Sequence, residues 1–166
     1  MPRLLLLRHA KAERARAGEK DHSRVLSKRG RRDAEEMGRR IAESGERPDL
    51  LLCSTSERTR QTWDLVRPAL ANRIETRFMR TLYEADDYLD ILKAEGGDAR
   101  SVLLIGHNPA IQGTAVRLVA EPRTADGADL SSQFPTAALA ILEGDVGWAE
   151  LEPAMMRLAA FIRPRE

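Results

Sequence analysis

The sequence holds a single cysteine, Cys53, among 166 residues. No intrachain disulfide and no cysteine-built zinc or iron–sulfur site can form from it, and a reducing compartment fits. An excess of one charge sign is also missing. Lys+Arg number 27 and Asp+Glu 26, for a formal net charge of +1. Nucleic-acid-binding domains usually carry a strong basic excess, so no nucleic-acid partner is expected. Long apolar runs are absent too. The first, Leu4 to Leu7, stops at Arg8-His9. That is short of the roughly 7–15 residues of a secretory signal and of the roughly 18 of a membrane span. The expectation is a cytoplasmic, soluble protein that does not engage a membrane. The patterns Gly-x-x-x-x-Gly-Lys-Ser/Thr, Gly-x-Gly-x-x-Gly, His-Glu-x-x-His and Gly-x-Ser-x-Gly do not occur. Their absence removes the phosphate loop, the dinucleotide fingerprint, the zinc-protease helix and the nucleophile elbow. Cys53 has no Cys-x5-Arg loop behind it, and reads as a small core residue.

What is present is an ordinary globular composition, 42% hydrophobic and 32% charged. A chain of this length is expected to form one domain over residues 1–166. Three short continuous apolar runs stand out: Leu4–Leu7, Leu50–Leu52 and Val102–Ile105. Runs without alternation fit strands buried on both faces of a parallel sheet. Helical patterns lie between them. Over 27–44, Ala34, Met37, Gly38, Ile41 and Ala42 share one face, and Ser27 is placed to cap the helix. Over 57–70, Trp63, Val66 and Leu70 recur at helical spacing. Asn108-Pro109 reads as a cap followed by proline at the first helical position. Asp86 or Asp87 is placed to open a short helix through Leu92. Residues 121–135 read as a surface loop. Two late strands, 137–143 and 147–151, are expected as a hairpin around Gly144-Asp145, and 154–163 fits helix or strand. Strands alternating with helices imply a layered α/β fold.

The chemistry gathers where the apolar runs end. Arg8-His9 follows the first, Cys53-Ser54 with Arg58 and Arg60 the second, and Gly106-His107-Asn108-Pro109 the third. In open α/β sheets ligands bind beyond the carboxyl ends of the strands. Parallel strands would therefore bring two of the three histidines together with at least two arginines. Helix N-termini near Glu57 and Pro109 would point to the same place and attract anions. Guanidinium groups match phosphate oxygens, and a histidine among them can act as a nucleophile toward phosphorus; alone, a histidine after a strand is as readily structural. Arg60 is expected to be an exposed helix residue.

These segments resemble a known family. Leu6-Leu7-Arg8-His9-Ala10 resembles the Arg-His-Gly signature of the histidine phosphatase (phosphoglycerate mutase-like) superfamily. Ser54 to Thr62 resembles its Ser-Pro-x-x-Arg-Ala-x-Gln-Thr segment, and Gly106-His107-Asn108-Pro109 its late Gly-His segment. Leu26-Ser27 with Gly30 and Ala34 is similar to the entry of its first helix, and Phe134 to Ala138 to the segment before a late strand. The small size resembles the SixA-type phosphohistidine phosphatase branch.

The resemblance implies a three-layer α/β/α fold with a mainly parallel central sheet and no large lid insertion. It implies His9 as the phosphorylated nucleophile, Arg8 and Arg58 as clamps on the phosphoryl oxygens, and His107 as a second histidine on the phosphoryl group. Substrate binding would fall to Arg8, Arg58, His107 and Arg24, and Glu84 would be the general acid, with Asp21 as the alternative carboxylate. No cofactor and no metal are implied. Ala10, Thr55 and Thr59 depart from the family pattern, none at a catalytic atom. The implied substrate is a phosphorylated protein or a small phosphorylated molecule, with inorganic phosphate as product and a monomer as the expected state. A small-molecule phosphomonoesterase and a non-catalytic phosphate-binding module are the alternatives. Lys11, Arg16, Lys20, His22 and Arg24 would rim the site toward an acidic partner.

Overall fold

A computed structural model describes residues 2–164. Six strands form one sheet in the order β3-β2-β4-β1-β5-β6. The strands are β1 (Arg3–Arg8), β2 (Leu50–Ser54), β3 (Glu75–Met79), β4 (Ser101–Gly106), β5 (Leu139–Gly144) and β6 (Met156–Ile162). β1, β2, β3 and β4 run parallel, whereas β5 is antiparallel to both β1 and β6. The helices are α1 (Lys28–Glu43), α2 (Glu57–Val66), α3 (Arg80–Glu84), α4 (Leu89–Glu95), α5 (Ala110–Leu118) and α6 (Ala125–Ser132). The fold is the expected three-layer α/β/α arrangement.

The layers follow from the two-residue period of a strand. In β1, Leu5 and Leu7 face Met37 and Ile41 of α1 and Trp63 and Val66 of α2. Leu4 and Leu6 face the other way, into a cluster with Leu82, Leu92, Ile111 and Leu130 from the remaining helices. All four leucines are fully buried, each worth about 1.5–3 kcal/mol relative to exposure. This two-sided burial is why the three central strands read as unbroken apolar runs. Cys53 lies in the core beside Leu51 and Ile105.

Register sets the site. Arg8 lies opposite Gly106, and Leu7 and Cys53 both lie opposite Ile105. Arg8, Ser54 and Gly106 therefore form one row at the carboxyl ends of β1, β2 and β4. α1 begins as expected at Ser27, whose side chain accepts from Gly30 N–H at 3.0 Å. A side chain at Gly30 would stand 2.1 Å from the Lys11 carbonyl oxygen. That carbonyl accepts from the Ser27 N–H and hydroxyl, so the glycine lets the segment after His9 lie directly on the helix start.

Several expectations change. Residues 147–151 form no strand. Trp148 turns into a short 3-10 helix (Trp148–Glu150), is buried against Gly96, and donates to the Ala99 carbonyl at 2.8 Å. The partner of β5 is β6, reached by the longer connection 145–155, so the tight hairpin at Gly144-Asp145 is absent and 154–163 resolves as strand. Residues 121–135 contain helix α6, capped by Thr124 on Gly127 N–H and anchored by Leu130. β3 has no apolar signature in the sequence because its five residues are mostly exposed and polar at a sheet edge. Ala42 is exposed, at the margin of the helical face that buries Ala34, Met37, Gly38 and Ile41. α5 starts one residue late, at Ala110, with Pro109 outside it and the Asn108-Pro109 bond cis. Asp87 accepts from Leu89 N–H at 2.8 Å and so opens α4. Arg60 is half-buried rather than exposed, because its guanidinium stacks 4.2 Å from the Phe78 ring centroid.

Candidate active site

A cavity of about 660 Å³ opens at the carboxyl ends of the strands, lined among others by Arg8, His9, Asp21, Arg58, Tyr83 and His107. The chain brings His9, Arg8, Arg58 and His107 together from β1, α2 and the end of β4. Backbone bonds fix the first two. His9 N–H donates to the Gly106 carbonyl at 3.1 Å, Ala137 N–H lies 3.1 Å from the carbonyls of both Arg8 and His9, and Ala10 N–H donates to Thr62 Oγ1. Ala137 adopts the left-handed φ of 61° to make that approach, a conformation costly for a residue with a side chain.

His9 is buried, with Nδ1 2.7 Å from the Ala10 carbonyl. A carbonyl only accepts, so Nδ1 carries the proton and Nε2 keeps its lone pair. Burial pushes the imidazole from 6.5 to about 3 against the pull of the Ala10 carbonyl, and the nearby His107, Arg58 and Arg8 reinforce the fall. His107 falls to about 4 through burial and the Arg58 charge, partly opposed by Asp21. The two rings lie 5.3 Å apart. His107 Nε2 is 2.7 Å from Ser54 Oγ, its Nδ1 lies 3.5 Å from Arg58 Nη2, and its backbone N–H donates to the Tyr88 hydroxyl at 3.0 Å.

The guanidinium groups are held at one end and free at the other. Arg8 Nη1 donates to the Phe134 carbonyl at 2.8 Å. Arg58 Nη1 donates to the Asp21 carbonyl at 2.8 Å and Nη2 to Asp21 Oδ2 at 3.0 Å. Burial and the charge of Arg58 lower the pKa of Arg8. Among the described residues only three buried side-chain polar atoms have no partner, and two of them are Arg8 Nε and Arg58 Nε. A buried donor without a partner is costly, and two beside a histidine pair fit an anion with several oxygens.

The two carboxylate candidates differ from a proton donor. Asp21 accepts from Tyr83 Oη at 2.8 Å, Arg58 at 3.0 Å and Arg24 at 3.1 Å. Partial burial works against its charge, but these three bonds outweigh it and hold the carboxyl well below the usual range. It is ionised, which removes it as an acid. Glu84 sits on the outer wall of the cavity, its side chain 61% exposed and 3.5 Å from Arg80. Arg24 lines the cavity, but its guanidinium is engaged by Asp21 and the Glu13 carbonyl. Sequence reasoning missed Ser54, Tyr83 and Tyr88 as partners within the site. Only the position of Ser54 straight after an apolar run hinted at one of them. Among the described residues no group of three or more His, Cys, Asp or Glu side chains is arranged to hold a metal ion.

The histidine shifts predict how stability responds to acid. The unfolded chain takes up protons near pH 6.5, while the native imidazoles resist until about pH 3 and pH 4. Over that interval the unfolded state binds more protons, so stability is full above pH 6.5 and declines as pH falls. The urea midpoint of wild type will drop between pH 6.5 and pH 4, and a His9→Gln/His107→Gln variant will show a shallower drop. Equal slopes in the two proteins would refute the buried-neutral assignment.

Comparison with known proteins agrees with this geometry. The profile of the histidine phosphatase superfamily (branch 1) matches residues 4–88. An uncharacterized protein of Mycobacterium tuberculosis is 31% identical over 163 residues, 96% of this chain and 100% of the relative. A crystal structure from Agrobacterium tumefaciens, of a protein that carries the name "putative phosphohistidine phosphatase SixA", is 35% identical with a TM-score of 0.83, covering 98% and 97% of the two chains. A Nakamurella structure of the same name is 30% identical with a TM-score of 0.86, covering 99% and 97%. Among the described residues no helix is long and apolar enough to cross a membrane.

Proposed function

Because this chain belongs to the histidine phosphatase superfamily, branch 1, and is a phosphatase of that type, we propose that it hydrolyses phosphohistidine on a protein through a phosphoryl group carried on His9. The observation that supports this best is a buried neutral imidazole with Nε2 free, placed beside two guanidinium groups whose Nε–H groups have no partner.

The steps follow from the atoms in place. Arg8 and Arg58 bind the phosphoryl oxygens and hold phosphorus in line with Nε2. Position and positive charge supply most of what phosphoryl transfer requires. The Nε2 lone pair attacks phosphorus, the bond to the departing nitrogen breaks, and the electron pair leaves with the substrate imidazole, which departs neutral because its other ring nitrogen carries a proton. Burial and the Arg58 charge keep His107 neutral; the negative phosphoryl group counters both, so that ring takes a proton from solvent as substrate binds, donates to the developing charge, and returns the proton to solvent when phosphate leaves. Water then attacks phosphorus and the bond to Nε2 breaks. Phosphate leaves, and His9 returns to its Nδ1–H form.

The choice of nitrogen over oxygen rests on the carboxylates. An alkoxide leaving group needs a proton donor, whereas an imidazole departs readily. Asp21 is ionised, and Glu84 is exposed and paired with Arg80. Phosphate release from a phosphohistidine peptide is expected to exceed release from a simple phosphomonoester. Glu84→Gln is expected to change phosphohistidine turnover by less than about threefold, the range of an exposed, weakly paired group. Equal loss of both activities in Glu84→Gln would overturn the argument, and faster monoester turnover by wild type would favour a small-molecule phosphatase.

A further inference from the structure

A second concavity, of about 870 Å³, adjoins the catalytic cavity and shares Lys11 and Ala12 with it. The segment after His9 forms it by pairing Ala12 with Leu26 in an isolated antiparallel bridge and by packing along the start of α1. Five cations line it: Lys11, Arg14, Arg16, Lys28 and Arg31.

Three features set this groove apart from an ordinary solvated face. Ion pairs elsewhere engage Arg3, Arg24, Arg58, Arg77 and Arg117, yet none of the groove's five cations has an ion-pair partner among the described residues. A chain with a formal net charge of only +1 thus concentrates unneutralised charge beside its active site. The start of α1 adds to the field. Its first turn holds no acidic residue, and Lys28, Arg29, Arg31 and Arg32 stand where the helix dipole is already positive. Helix stability alone would favour Asp or Glu there. Finally, the groove is not uniformly basic. Glu13 and Glu19 also line it, and Val25, Leu26 and Ala12 give it apolar surface. Such a mixed, concave surface suits the side chains of a peptide better than a uniform polyanion.

We propose that this groove docks an acidic segment of the protein substrate flanking its phosphohistidine. The proposal rests on the protein-phosphohistidine reading above and adds the feature that selects among such proteins. Charge of this kind steers encounter and fixes register, and it is screened by salt over a Debye length of about 8–10 Å.

Binding separates this inference from the catalytic one. A fluorescent Asp/Glu-rich peptide without any phosphoryl group is titrated with the intact protein and followed by anisotropy. The expected result is saturable binding that weakens with salt, does not occur with a Lys-rich control, and is lost by about tenfold or more in Arg14→Glu/Arg16→Glu/Arg31→Glu. In the same variant, kcat/KM should fall by a similar factor for a phosphohistidine peptide with acidic flanks. Turnover of phosphoramidate, too small to reach the groove, should stay within about twofold and shows that the variant is folded and active. Undiminished binding in the variant, or equal binding of acidic and basic peptides, would overturn the docking role. So would binding to phosphatidylserine vesicles in preference to the peptide. Acidic-peptide binding without any phosphohistidine turnover by wild type would leave the groove standing and remove the reading it serves.

Discussion

His9→Ala will release phosphate at least about 10⁴-fold more slowly than wild type, a loss typical of removing an essential nucleophile. The expectation follows from the Nδ1 bond to the Ala10 carbonyl, which leaves Nε2 as the one unprotonated nitrogen of that ring. Among the described residues no other buried group is positioned to replace it. His107 is occupied by Ser54 and Arg58, and Cys53 lies in the core behind the sheet end. The same variant should still bind vanadate or phosphate, since Arg8, Arg58 and His107 remain. A ligand that binds only the native state raises stability, so vanadate should still raise the melting temperature of His9→Ala. Wild type incubated with a phosphohistidine peptide and quenched in base should carry base-stable, acid-labile phosphate, and the variant should carry none. Residual turnover above about one tenth of wild type, or a surviving phosphoenzyme, would place the nucleophile elsewhere.

Arg58→Ala should cost about 10²–10³ in kcat/KM, the range found when one donor to a developing oxyanion is removed. The loss has two parts. In the proposed mechanism the guanidinium supplies charge to the phosphoryl oxygens, and its charge adds to burial in keeping His107 neutral. Without it, the pKa of His107 rises toward its ordinary value, so the alkaline limb of the kcat profile, where that ring loses the proton it donates, should move upward. Asp21 would meanwhile keep only Tyr83 and Arg24 as donors, leaving a carboxylate less fully neutralised beside the phosphoryl site. Arg58→Lys should not restore activity, because an ammonium cannot hold Asp21 and reach the phosphoryl group with one planar fork. Near-wild-type vanadate affinity in Arg58→Ala would show that Arg8 alone holds the anion.

The parts of the fold that were legible from sequence are those buried on both sides. Leu4–Leu7, Leu50–Leu52 and Val102–Ile105 became β1, β2 and β4 because two-sided burial requires unbroken apolar runs. The polar residues behind them were legible for the same reason: register carries Arg8, Ser54 and Gly106 to one row. Elements whose stability depends on distant contacts were not legible. β3 is an edge strand with little apolar pattern. The strand expected over 147–151 is replaced by a 3-10 turn because Trp148 is buried against Gly96, a contact 52 positions away with no local signature. α6 rests on one buried leucine and a threonine cap. Within the site, four residues near the ends of apolar runs were named from sequence, whereas the Asp21–Tyr83 contact joins residues 62 positions apart and has no local signature. Arg24, expected on the substrate, lines the cavity with its guanidinium bonded to Asp21 and the Glu13 carbonyl.

The short connection from α3 to α4 has a further consequence. Only residues 85–88 separate Glu84 from Leu89, too few to build a cover over the cavity, and Asp21 at its mouth is 53% exposed in its side chain. A transferase that moves a phosphoryl group between two positions of one molecule must keep that molecule captive while it turns round. An uncovered pocket offers no such captivity: the released product diffuses away before it can accept the group back. Solvent is then the acceptor in greatest supply, and competition among acceptors, rather than a dedicated residue, commits the phosphoryl group to water.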